Sequence, residues 1–97
     1  MLHIISYDLH GREKDYPTLY EKINALGEPY YCLESTVFLY TQKSAGAVDA
    51  SLRAALDPEL SFVVVDISGI NVEKYFGSIS PKAEKGSFWD WVLAHKD

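Results

Sequence analysis

Asp8 is the residue with the most chemical promise in this chain. It closes a mostly apolar run, LHIISY over residues 2–7, and precedes a polar stretch that holds His10, Gly11, Arg12 and Lys14. A buried strand that ends in a carboxylate presents that group rigidly at a sheet edge, while the loop beyond it admits water and substrate. A carboxylate in that place also has a simpler use, as the turn residue ahead of the next helix.

Other chemistries find little support. His3, His10 and His95 are far apart and lack helical or CxxC-type spacing, so the pattern does not predict a zinc site. No GxxxxGK[ST], GxGxxG or GxSxG string occurs. Cys32 is the single cysteine; it lies in an apolar segment, and packing is its expected role. One carboxylate cannot hold Mg²⁺ alone, since a hard cation takes several oxygen ligands. A symmetric dimer that brings Asp8 to its copy would supply the pair.

Composition bounds the rest. Ninety-seven residues, 47% apolar and 24% charged, predict one globular domain rather than a disordered chain. The apolar runs are far short of the ~20 residues that span a bilayer, and no signal-peptide pattern opens the sequence, so the expectation is a cytoplasmic protein with no membrane association. Fourteen acidic against nine basic residues give a net charge of −5, with Arg12 and Arg53 the only arginines. A surface of that sign disfavours non-specific binding to phosphate backbones, although Arg12 and Lys14 stand close to Asp8 in the chain.

The elements that would position Asp8 follow from periodicity. Residues 2–8 form a strand with Leu2, Ile4, Ser6 and Asp8 on one side and His3, Ile5 and Tyr7 on the other. Asp15 as N-cap and Pro17 in the first turn open a helix whose stripe is Leu19, Tyr20, Ile23 and Leu26, with Gly27 and Pro29 ending it. Strands are expected over 30–33 and 36–41, joined at Glu34 and Ser35 as a tight hairpin or as one bulged strand. A second amphipathic helix spans 44–56, with Val48 and Leu52 on its face, and Asp57-Pro58 stops it. The three valines of SFVVVDI, 61–67, predict a strand buried on both faces.

This order, βαββαβ, predicts an α+β domain of ferredoxin-like type, a four-stranded antiparallel sheet with both helices on one face. Residues 1–67 form that core and 68–97 a C-terminal extension of the same domain. Two helices cover one sheet face only, so the extension, a second copy of the chain, or both must cover the other. Residues 68–86 read as an irregular connection. They lead to a terminal helix over 87–96, capped by Ser87 with Asp90 as its acidic partner, whose aromatic face of Phe88, Trp91, Val92 and His95 is built for docking.

IISYDL, YPTLYEKINALG, LESTVFLYT and SFVVVDI, in this order and spacing over about residues 1–67, resemble the CRISPR-associated protein two family. The likeness is closer to its diverged SinR-like branch, which the terminal WDW helix also resembles, and virulence-associated protein D toxins share the plan. The resemblance implies a homodimer in which Asp8 meets its mate and binds Mg²⁺ for endonuclease cleavage of RNA or DNA. Ser35, Val37 and Phe38 match the family's third strand, with Thr36 inserted. Two departures stand out: the basic run that follows the first strand in nuclease members is reduced to Arg12 and Lys14, and Glu34 stands where a glutamine is common.

Two readings follow. In the first the protein is a Mg²⁺-dependent phosphodiesterase. Asp8 binds the metal, Ser35 or Thr36 orients a phosphate, Arg12 lies nearby for substrate, Tyr7 shapes the site, and His10, the imidazole nearest Asp8, acts as acid or base. The simpler roles for Tyr7 and His10 are core packing and a solvated loop. In the second the same fold is a catalytically silent homodimeric adaptor that contacts a protein partner through its terminal helix or acidic surface.

Overall fold

The computed structural model describes residues 1–8, 16–69 and 86–95. Seven elements follow in order: β1 (Leu2–Asp8), α1 (Tyr16–Leu26), β2 (Glu28–Leu33), β3 (Thr36–Tyr40), α2 (Ala45–Ala55), β4 (Ser61–Asp66) and α3 (Phe88–His95). The strands form one sheet in the order β2-β3-β1-β4, with every neighbouring pair antiparallel. Among the described residues β1 is therefore interior, and β2 and β4 are the edges.

Strand alternation sorts the side chains into two layers. Ile5, Tyr7, Val37 and Leu39 face Leu19 and Ile23 of α1 and Val48 and Leu52 of α2, so both helices bury their stripes on the same sheet face. Each such side chain withdrawn from water contributes about 1.5–3 kcal/mol. Ser44 caps α2 by accepting from the Ala47 N–H at 3.2 Å. Gly27 ends α1 where the chain passes close to β3, and a Cβ there would run into the Tyr40 carbonyl oxygen. Thr41 seals the same corner: its hydroxyl donates to the Leu26 carbonyl at 2.7 Å and accepts from the Lys43 N–H at 3.2 Å. Glu34 and Ser35 form a two-residue turn, and the β2–β3 ladder shifts register between Tyr31 and Leu33, so a hairpin and a bulge are both present. Cys32 sits at that bulge and is buried.

The opposite face carries α3. Leu2, Tyr30, Cys32 and Phe38 pack against Phe88, Trp91 and Val92. Phe88 meets Phe38 edge-on at 4.7 Å between centroids, and Tyr30 lies 5.5 Å from Trp91. The Tyr30 hydroxyl donates to the Gly86 carbonyl at 2.7 Å and so ties the start of α3 to β2. His95 stacks on Trp91 at 4.3 Å. The C-terminal helix thus docks on the body of its own chain, over the β2–β3 half of the sheet.

One expectation fails here. The valine run of β4 is not buried on both faces: Val64 is half-buried toward the helices, whereas Val63 and Val65 are 54% and 46% exposed. The reason is positional, because β4 is an edge strand and α3 packs toward the far half of the sheet. Asp66 ends β4 in a structural role: it accepts from the Ser68 N–H at 2.8 Å, and the Ser68 hydroxyl accepts from the Leu2 N–H at 3.0 Å. That backbone hydrogen bond holds the Asp66 carboxyl below the usual range. The expected Asp15 cap of α1 and the connection over 70–85 lie outside the described residues. Among the described residues no helix is long and apolar enough to cross a membrane.

Candidate active site at the open end of the sheet

Asp8 is the last residue of β1 and is exposed. The period of two puts it on the same face as Ser6 and Ile4, away from α1 and α2. The ladders add neighbours on that face: Ser61 of β4 is the register partner of Asp8, and Ser6 lies opposite Val63 on one side and Thr36 on the other. Register partners in an antiparallel pair share a face, with Cα atoms roughly 4.5–5.5 Å apart. Three hydroxyl residues and a carboxylate therefore gather at one end of three adjacent strands. An open cavity of about 290 Å³ lies here, lined by Ser6, Asp8, Ser61 and Val63 with Tyr7 and Phe62.

Tyr7 is positioned differently from its neighbours. It belongs to the helix-side core, only 4% exposed, with its ring edge-on to Tyr16 at 6.2 Å and its hydroxyl donating to the Glu34 carbonyl at 3.2 Å. Burial, reinforced by Tyr20, pushes its phenol well above the ordinary tyrosine range. Its backbone N–H donates to the Ser35 carbonyl at 3.0 Å. Tyr7 thus braces the site from behind, fixing the β2–β3 turn against the end of β1. Ser35 lies in that turn and Thr36 opens β3, so both stand at the same sheet end as Asp8. His10 and Arg12, two and four positions beyond Asp8, lie outside the described residues.

Ser6 and Ser61 were not singled out from the sequence as site residues. Ser6 shares the alternation side of Asp8, which was a usable signal; Ser61 needed the knowledge that β4 pairs with β1.

Among the described residues no group of three or more His, Cys, Asp or Glu gathers that could hold a metal ion. Among the described residues Asp8 is the carboxylate that lines this cavity, with the hydroxyl residues Ser6, Thr36 and Ser61 on the same sheet face. Mg²⁺ keeps several waters and binds through one or two carboxylates plus substrate phosphate, so Asp8 by itself is the smallest protein share such a site can use. No protein-family model, curated protein or solved structure matches the chain.

Proposed function

We propose that two copies of this chain associate through the sheet face left open beside α3, and that the pair is a Mg²⁺-dependent endonuclease hydrolysing phosphodiester bonds of RNA or DNA. The observation that carries this reading is the shared face of Asp8 and the exposed valines. Ile4, Ser6 and Asp8 of β1 run alongside Val65, Val63 and Ser61 of β4 in register. Covering Val63 and Val65 with the same surface of a second copy buries apolar area and draws two Asp8 carboxylates toward one axis. The resemblance to the CRISPR-associated protein two family supports the same arrangement. So does the ferredoxin-like plan we infer from the element order and from the sheet order β2-β3-β1-β4.

In this reading each chain performs three tasks. Asp8 offers carboxylate oxygens from a strand end that cannot swing away. The hydroxyls of Ser6, Thr36 and Ser61 donate to phosphate oxygens and hold the bond in line for attack by water. Tyr7 keeps the Glu34–Ser35 turn in place through its hydroxyl and its N–H. A bound Mg²⁺ would supply charge stabilisation and an activated water.

The valine strip also favours a second reading, a dimeric adaptor that uses the same face without cleaving anything. Labelled single- and double-stranded RNA and DNA, incubated with Mg²⁺, Mn²⁺ or EDTA, separate the two. Metal-dependent cleavage supports the nuclease, and a dimer inert on every substrate leaves the adaptor.

A further inference from the structure

His3 and Thr41 are buried polar side chains, and both hold one short segment at the sheet end opposite Asp8. The His3 Nε2–H donates to the Lys43 carbonyl at 2.8 Å, and the Thr41 hydroxyl joins the Leu26 carbonyl to the Lys43 N–H. Residues 41–43 are thereby fixed beside an open cavity of about 520 Å³, whose lining includes Leu26, Glu28, Tyr40, Gln42 and Lys43. That volume falls within the ~300–1,000 Å³ of small-molecule sites.

Two helix ends meet this cavity with fields of opposite sign. α1 ends at Leu26, where the last carbonyls carry partial negative charge, and no basic residue occupies its last turn. α2 begins just beyond Lys43, where the first N–H groups carry partial positive charge, and no acidic residue occupies its first turn. The flanking side chains add to these fields instead of offsetting them. Glu28 follows the negative end of α1, and Lys43 precedes the Ser44 cap at the positive end of α2. Each is the less stable choice of sign at its helix end. Charges set against local preference are expected where a ligand makes use of them.

We infer that this cavity binds a free α-amino acid with an apolar side chain. The ammonium group lies toward Glu28 and the end of α1, the carboxylate toward Lys43 and the start of α2, and the side chain against Leu26 and Tyr40. A bare anion gains at Lys43 and is repelled at Glu28, a bare cation meets the reverse, and a zwitterion gains at both. Glu28 and Tyr40 are register partners and share a sheet face, so the negative pole and an aromatic residue stand side by side. The Tyr40 ring is held in turn by His95, edge-on at 5.2 Å. This site is independent of the nuclease reading: Tyr40 pairs with Leu2 at one end of β1, and Asp8 is at the other.

The test is a titration of the whole ¹⁵N-labelled chain with L-leucine and L-phenylalanine, read by NMR. Either amino acid shifts the Gly27, Gln42 and Lys43 amides and leaves the Ser61 amide unmoved. Isocaproate is leucine without its amine, and isoamylamine is leucine without its carboxylate; each binds the wild type roughly tenfold more weakly than leucine. Glu28→Gln and Lys43→Gln each weaken leucine binding by a similar factor. Because each removes a charge from the wrong end of a helix, neither lowers the thermal midpoint of the unliganded chain. No response to either amino acid at about 10 mM, or a half-ligand that binds as well as leucine, overturns the inference. A lower midpoint in both variants also overturns it, since the two charges would then serve the fold.

Discussion

Asp8 and Ser61 face each other across the end of the β1–β4 ladder. A carboxylate and a hydroxyl are thereby set side by side on two adjacent strands, one of them the interior strand β1. Moving either requires a register slip, which would turn the apolar set of that strand out of the core. The position of the candidate site is therefore tied to the stability of the sheet.

Val63 and Val65 lie on the proposed dimer face and carry little weight in the monomer. Val65→Lys is expected to convert a dimer to a monomer in sedimentation velocity at micromolar concentration. It should change the unfolding free energy of the chain by no more than about 0.5 kcal/mol, as exposed substitutions do. A variant that stays dimeric would move the interface elsewhere.

Trp91 is the centre of the α3 contact, between Tyr30 and His95. Trp91→Ala should cost about 3–5 kcal/mol, read as a lower urea midpoint. A loss under 1 kcal/mol would mean that α3 contributes little to covering Tyr30 and Phe38.

Two glycines should respond to alanine in opposite ways. Gly27→Ala forces a Cβ against the Tyr40 carbonyl, so a loss of about 1–3 kcal/mol is expected. Gly46, within α2, has open space around it, and Gly46→Ala should stabilise by about 0.5–1 kcal/mol. Thermal unfolding of the two variants checks both signs.

Much of this was legible in the sequence, because period and punctuation act locally. The stripe of Leu19 and Ile23, the pair Val48 and Leu52, and the two sides of β1 all reflect spacing along a single element. Less legible was what depends on sheet order. Three consecutive valines read as a doubly buried strand, yet an edge strand beside a helix that packs elsewhere leaves two of them exposed. For the same reason Asp8 and Ser6 could be assigned to one side of a strand, while Ser61 had no local mark of being their neighbour.

Alkaline pH should unfold the protein through its tyrosines. Burial, with Tyr20 adding to it, pushes the Tyr31 phenol up to about 12, and Tyr7 is raised further still. With the folded value above the ordinary one near 10, the native state holds its protons longer than the unfolded chain. The corresponding stability is complete below pH 10 and is lost as pH rises through about 12. Denaturant midpoints measured between those values should fall steadily, and Tyr31→Phe should flatten the slope. An unchanged slope would mean that Tyr31 ionises alike in both states.

Cleavage by wild type and by Asp8→Asn, with Mg²⁺ and with EDTA, tests the central claim most directly. Wild type should cut an RNA or DNA substrate only with the metal, and Asp8→Asn should lose at least 100-fold of that rate, about 2.7 kcal/mol in the barrier, while remaining a dimer of unchanged fold. Cleavage that survives in Asp8→Asn, or that persists in EDTA, would contradict the account.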